Sequence, residues 1–326
     1  MAITVRSTAD GNSGELLNTV NGLGFRFGLD TSGQLQSGRN RFINGALAID
    51  QRNNGNPQTI TAGAALAYTV DRFYAYCTGA NVTGQRVAGV SPNQYNYQFT
   101  GAAGVTKIGF AQRIEAANSQ DLAGTTATLS VDLANSNLAN SNLTTVTWTA
   151  WYANTTDTFG PLAAPTRTLI GTGTFTVNNT LTRYSTQISI PSAATTGIEV
   201  ELSVGGQISG TWTIGRVQLE PGSIRSNFEF RDIQSELARC MRYFQIIRCT
   251  ANDNGAATNG KQYITPAPFM VPMRIIPTPT YNSITVTLVS SAIIRNISQY
   301  GAQYYVIASG GPTMESLTDV LLSAEL

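Results

Sequence analysis

Val146-Thr147-Trp148-Thr149-Ala150-Trp151-Tyr152 decides the architecture. Val146, Trp148, Ala150 and Tyr152 fall on one parity, and Thr147, Thr149 and Trp151 fall on the other. A period of two belongs to a strand with one face buried and one turned outward. The first set reads as core, and Trp151 is the aromatic expected to be exposed. The same alternation recurs at 68–74, 126–131, 173–177, 184–190, 198–204 and 212–219, with turn residues between the segments. Many short strands punctuated in this way predict a β-sandwich. Trp212, alternating with Ile214, is expected in its core.

Composition agrees. Of 326 residues, 42% are apolar, enough for a full core, but only 12% are charged. Thr, Ser, Asn, Gln and Gly take the place of charge, which suits the outer faces of strands rather than of helices. Net charge is +1 and no basic run occurs, so the footprint needed to neutralise phosphates is missing and no nucleic-acid partner is expected. Histidine is absent. That removes the commonest general base, the Ser-His and Cys-His pairs and most zinc sites. The three cysteines, Cys77, Cys240 and Cys249, have neither metal-site spacing nor an even count, and read as buried, reduced thiols. No stretch reaches the roughly 18 apolar residues of a membrane span. Residues 1–10 lack an apolar run, so neither membrane insertion nor a leader is expected.

Along the chain the expected organisation has four parts. Residues 1–38 form an N-terminal arm, or equally a first hairpin of the main domain. Residues 39–231 form the sandwich, 232–245 one linking helix and 246–326 a smaller C-terminal β domain. Asp232 is placed to cap the helix, with Ile233, Leu237, Met241 and Phe244 as its apolar stripe. Pro266, Pro268, Pro272, Pro277 and Pro279 favour edge or extended segments after it. The Asn-rich repeat at 133–143 has too few copies to stack and reads as a loop between two strands.

Candidate sites are few. Glycoside hydrolysis needs two carboxylates across the scissile bond. Among 19 acidic residues, Glu199 and Glu201 stand two apart on one strand face and read as a solvated acidic face. No catalytic, cofactor or metal residues are assigned, and no enzyme activity is expected. Sugar binding needs exposed aromatics, for which Trp151 is the first candidate. Tyr300, Tyr304 and Tyr305, with Gln299 and Gln303, have the amphipathic composition of binding surfaces or of an interface between subunits.

Several phrases, taken in order, resemble one family. They are Asn40-Arg41-Phe42-Ile43-Asn44-Gly45, then Ile49-Asp50-Gln51-Arg52, with Asp50 where the family carries an aromatic. Next come Tyr68-Thr69-Val70-Asp71-Arg72-Phe73, Gln112-Arg113-Ile114-Glu115 with Leu122-Ala123-Gly124, and Gln218-Leu219-Glu220-Pro221-Gly222-Ser223. Glu236-Leu237-Ala238-Arg239-Cys240-Met241-Arg242-Tyr243-Phe244 and Val271-Pro272-Met273-Arg274 complete the series. Together they are similar to bacteriophage tail-fibre and receptor-binding proteins with a carbohydrate-binding-like jelly roll. The resemblance implies an all-β jelly-roll sandwich in a virion protein made in the host cytoplasm. It also implies a homotrimer, attachment to other virion proteins through the arm, and non-catalytic contact with host polysaccharide or lipopolysaccharide. A structural virion component, such as a capsid-decoration or tail-assembly protein without a receptor, is the alternative. Jelly rolls of this kind often hold a structural calcium. Here the closing strand offers Gly215 and Arg216 where an acidic ligand belongs, so no cofactor is assigned. Asp71, Arg72 and Glu220 are read as anchors of the fold.

Overall fold

Alternation of side chains places one row of each strand in the interior, and the computed structural model shows the sheets that result. It describes residues 3–7, 13–18, 24–28, 38–137, 145–255 and 257–326. Near the N-terminus β1 (Ile3–Ser7), β2 (Ser13–Asn18) and β3 (Gly24–Gly28) pair antiparallel in a sheet of their own. They therefore do not form a hairpin of either sandwich layer.

Among the described residues, twelve strands build the sandwich. In chain order they are β4 (Gln58–Ile60), β5 (Ala67–Tyr68), β6 (Tyr74–Thr78), β7 (Val82–Ala88), β8 (Tyr95–Thr100) and β9 (Lys107–Ile114). A short helix α1 (Ala116–Ser119) precedes β10 (Thr126–Asn135), β11 (Thr145–Ala153), β12 (Arg167–Thr176), β13 (Thr182–Ser189), β14 (Ile198–Gly205) and β15 (Thr211–Pro221). One sheet has the order β13-β10-β15-β8-β7-β4, the other β12-β11-β14-β9-β6-β5. The chain passes repeatedly from one sheet to the other, so most hydrogen-bonded neighbours are distant in sequence, the connectivity of a jelly roll. The interior is one cluster. Phe73 stacks on Phe110 with centroids 4.8 Å apart, and Trp212 on Phe99 at 5.3 Å. Val146, Trp148, Ala150 and Trp212 are all buried, as their parity predicts.

The phrases quoted above supply much of the stitching. Gln112 donates from Nε2 to the Ile43 carbonyl at 2.8 Å and accepts from the Ile43 N–H at 2.9 Å. Asn40 accepts from the N–H groups of Phe42 and Leu219 and donates to the Val217 carbonyl at 2.9 Å. Glu220 accepts from Gln218 and Ser226, and Arg72 donates to the Arg113 carbonyl at 2.7 Å. Each satisfies buried backbone or side-chain groups that would otherwise cost about 1–3 kcal/mol apiece. The Asn-rich repeat begins inside β10, where Asn135 bonds Gln207 at 2.7 Å. Its residues 138–143 lie outside the described residues.

Contacts divide the chain into two units, one of residues 1–48 with 55–230, the other of 49–54 with 231–326. In the second unit α2 (Ile233–Met241) is capped by Asp232, whose carboxylate accepts from Gln234 N and Ser235 N. The expected helix over 232–245 is too long. Phe244 and Gln245 already belong to β16, because the run Phe244–Cys249 pairs along the C-terminal strand. The buried side of the helix is Glu236 and Cys240, not the predicted stripe, and Ile233 is exposed. Two three-stranded sheets follow. In one, β21 (Met314–Ser323) lies between β16 (Phe244–Asp253) and β18 (Thr278–Thr287). In the other, β20 (Gly301–Ala308) lies between β17 (Gln262–Pro268) and β19 (Val289–Arg295). Pro266 and Pro268 in β17 and Pro279 in β18 all sit on edge strands, where a missing N–H breaks no inner ladder. Residues 49–54 belong to this unit: Gln51 donates to the Phe244 carbonyl at 3.0 Å, and Arg52 pairs with Glu325 at 3.1 Å. All three cysteines are buried and free.

Candidate functional site

The outer face of the β12-β11-β14-β9-β6-β5 sheet gathers aromatic and charged side chains in a chain otherwise poor in charge. Register sets the rows. Trp151 pairs across to Glu199 and Leu169, Thr149 to Glu201 and Thr172, Glu199 to Arg113, and Glu201 to Ala111, which faces Tyr74. Residues in register share a face, so one outer surface carries Tyr74, Tyr76, Lys107, Arg113, Thr149, Trp151, Arg167, Thr172, Glu199 and Glu201.

Two carboxylates lie beneath it. Glu199 is fully buried and accepts from the Tyr74 hydroxyl, Arg113 Nε at 3.0 Å and Arg167 Nη1. Glu201, 1% exposed, accepts from Lys107 Nζ at 2.8 Å and the Tyr76 hydroxyl at 2.9 Å. The expectation of a solvated acidic face is thus overturned. Strand parity puts both residues on the outer face, but arginine, lysine and tyrosine from β6, β9 and β12 close over them. Burial first, and the Glu199 carboxylate second, push the Tyr74 phenol well above the ordinary tyrosine range. Burial and then Glu201 do the same for Tyr76. Both phenols therefore act as neutral donors. For Arg167, burial opposes the charge, but Glu199 and its neighbours outweigh it and raise the pKa.

Above the carboxylates stands a partly exposed layer. The Arg167 guanidinium lies 3.9 Å from the centroid of the Trp151 ring. Leu169 beside it is 54% exposed. Lys107 Nζ lies 5.2 Å from the Tyr76 ring centroid. A Cβ on Gly109 would collide with that ring, so glycine lets Tyr76 lie over its neighbouring strand. A planar ring flanked by donors suits the apolar face and the hydroxyls of a sugar.

The candidates named from sequence fare unequally. Trp151 lies in this cluster and is partly exposed. Tyr300 is 70% exposed in the turn before β20. Tyr305 is partly exposed with Arg295 stacked 3.9 Å over its ring. Tyr304 is corrected. It is buried, and its hydroxyl bonds Ser316 and Thr318, because neighbours on a strand point to opposite faces and Tyr304 takes the inward one. Sequence reasoning missed Tyr76, Lys107 and Arg167. The usable signals were the alternate tyrosines of Tyr74-Ala75-Tyr76 and the two acids of Ile198-Glu199-Val200-Glu201, but their cross-strand partners are distant in sequence.

No family model and no curated protein matches the chain. Among solved structures it is similar to a carbohydrate-binding module of family 4 (16% identity, 55% of this chain and 98% of that one, TM-score 0.34). It is also similar to the enzymatically active domain of tailspike protein 4 of bacteriophage CBA120 (17%, 58% and 22%, TM-score 0.32). A third likeness is to a family 61 carbohydrate-binding module in complex with β-1,4-galactotriose (10%, 56% and 99%, TM-score 0.32). This chain spans 22% of the tailspike domain's length. At such identities and TM-scores a likeness assigns no ligand to this chain.

Proposed function

We propose that the protein is a non-catalytic glycan-binding adhesin of a bacteriophage virion, and that the outer face around Trp151 is its binding surface. The observation that carries this is the Trp151–Arg167 pair, a partly exposed indole stacked on a nearly buried guanidinium that is seated on Glu199 beside Tyr76. A flat platform edged by fixed donors is what sugar recognition uses, and the buried ion pairs hold it rigid. The oxygens of both carboxylates are occupied by donors and both phenols stay protonated, which supports binding over acid–base chemistry. The ordered phrases between residues 40 and 274 support the virion setting, with the N-terminal strands attaching to other virion proteins and a homotrimer multiplying weak sites. A glycan array probed with the wild-type chain and Trp151→Ala tests the binding surface. Binding to host polysaccharide or lipopolysaccharide that is lost in the variant supports it. Equal signals from both, or none from either, refute it. Labelling of phage particles by an antibody to this chain tests the virion setting, and unlabelled particles would exclude it.

A further inference from the structure

We infer that the glycan bound at this face is acidic, its carboxylate or phosphate received between Arg167 and Lys107, an inference that rests on glycan binding at this surface. Three cations, Lys107 and Arg113 from β9 and Arg167 from β12, hold the two carboxylates of the face, Glu199 and Glu201 from β14. Depth orders these groups: the carboxylates are 0% and 1% exposed, whereas the Lys107 side chain is 42% exposed. A ligand approaching from solvent therefore meets cations and donors first.

Arg167 supplies the second observation. Its side chain is nine-tenths buried, and among the described residues its one hydrogen bond runs from Nη1 to Glu199. Its Nε–H is shut off from solvent without an acceptor. A guanidinium offers five donors in a fixed fork, and a buried donor left unmatched is unfavourable. Nη2 makes no hydrogen bond among the described residues, and an anion that reaches it gains a charge-assisted bond, stronger than one to a sugar hydroxyl. Residues two apart on a strand are separated by roughly 7 Å. Lys107 on Glu201 and Arg167 on Glu199 thus stand about one sugar residue apart, from opposite sides of β14.

Affinity electrophoresis of the full chain through polygalacturonate, alginate, hyaluronan and phosphomannan, beside the carboxyl-reduced or dephosphorylated twin of each, tests this. The uronates and the phosphomannan separate a carboxylate from a phosphate ligand. Retardation by an acidic polymer, lost in its neutral twin and weakened at least fivefold between 50 mM and 500 mM salt, is the expected result. Thr172→Glu adds a negative charge to the exposed edge of the face without touching the buried ion pairs. It should weaken acidic-polymer binding about tenfold at low salt relative to Thr172→Gln, which loses the same hydroxyl bond to the Trp148 carbonyl without adding charge. Lys107→Arg should retain binding and Lys107→Gln should lose it. Equal retardation by an acidic polymer and its neutral twin, insensitive to salt and to Thr172→Glu, overturns the acidic ligand while leaving glycan binding intact. Retardation by none of the polymers overturns both.

Discussion

Glu199 and Arg113 meet at 3.0 Å on the outside of a β-sheet, with the carboxylate fully buried. A charge that deep survives only because Arg113, Arg167 and Tyr74 surround it. Removing one partner of a buried ion pair costs about 3–5 kcal/mol, since the remaining charge is left uncompensated. Glu199→Ala, which strands two guanidinia, should lose about that much in urea titration. Tyr74→Phe, which removes one donor of three, should lose about 1–3 kcal/mol. Wild-type stability in Glu199→Ala would mean the cluster contributes nothing to the fold.

Gln112 should matter as much while touching no ligand. Its amide satisfies both the N–H and the carbonyl of Ile43. Gln112→Ala orphans two buried backbone groups at about 1–3 kcal/mol each. Denaturant midpoints check this, and Gln112→Glu should rescue little, because a carboxylate cannot donate to the carbonyl.

How far such residues were legible in the sequence depends on how local their partners are. The sandwich was legible because alternation is a property of each strand alone: Trp148 and Trp212 fell where their parity put them. The adjacency of Tyr304 and Tyr305 also carried its answer, since neighbours on a strand cannot both face a ligand. Glu199 and Glu201 were legible as a shared face but not as a buried one, because their covers come from Arg113, Arg167 and Lys107 on other strands. The end of α2 was hidden for the same reason. Phe244 continues the helical spacing, and only its pairing with Ser323 turns it into strand.

In the second unit, two of the three tyrosines named as binding-surface candidates separate cleanly. Tyr304→Phe removes a hydroxyl shared by Ser316 and Thr318 and should cost about 1–3 kcal/mol. Tyr300→Ala, at a 70% exposed position, should change stability by less than about 0.5 kcal/mol. Thermal unfolding of the two variants side by side distinguishes core from surface.

Alkaline pH should weaken the fold. Burial first, and Asp319 second, push the Cys249 thiol from an ordinary 9.0 up to about 11, and burial also raises Cys77. Above pH 9 the unfolded chain releases these protons while the native chain keeps them, so stability is full below about pH 9 and declines as pH rises towards 11. Cys249→Ser should flatten part of that decline. Ellman's reagent at pH 8 should find the thiols slow in the native protein and all three reactive in denaturant. Rapid native reaction of Cys249 would contradict its burial.

Adsorption of fluorescently labelled chain to host cells, wild type against Trp151→Ala with matched melting temperatures, tests the binding face most directly. Saturable adsorption by the wild type, competed by purified host polysaccharide and reduced at least tenfold in the variant, is the expected result. Equal adsorption by the two, or no adsorption by either, would contradict it.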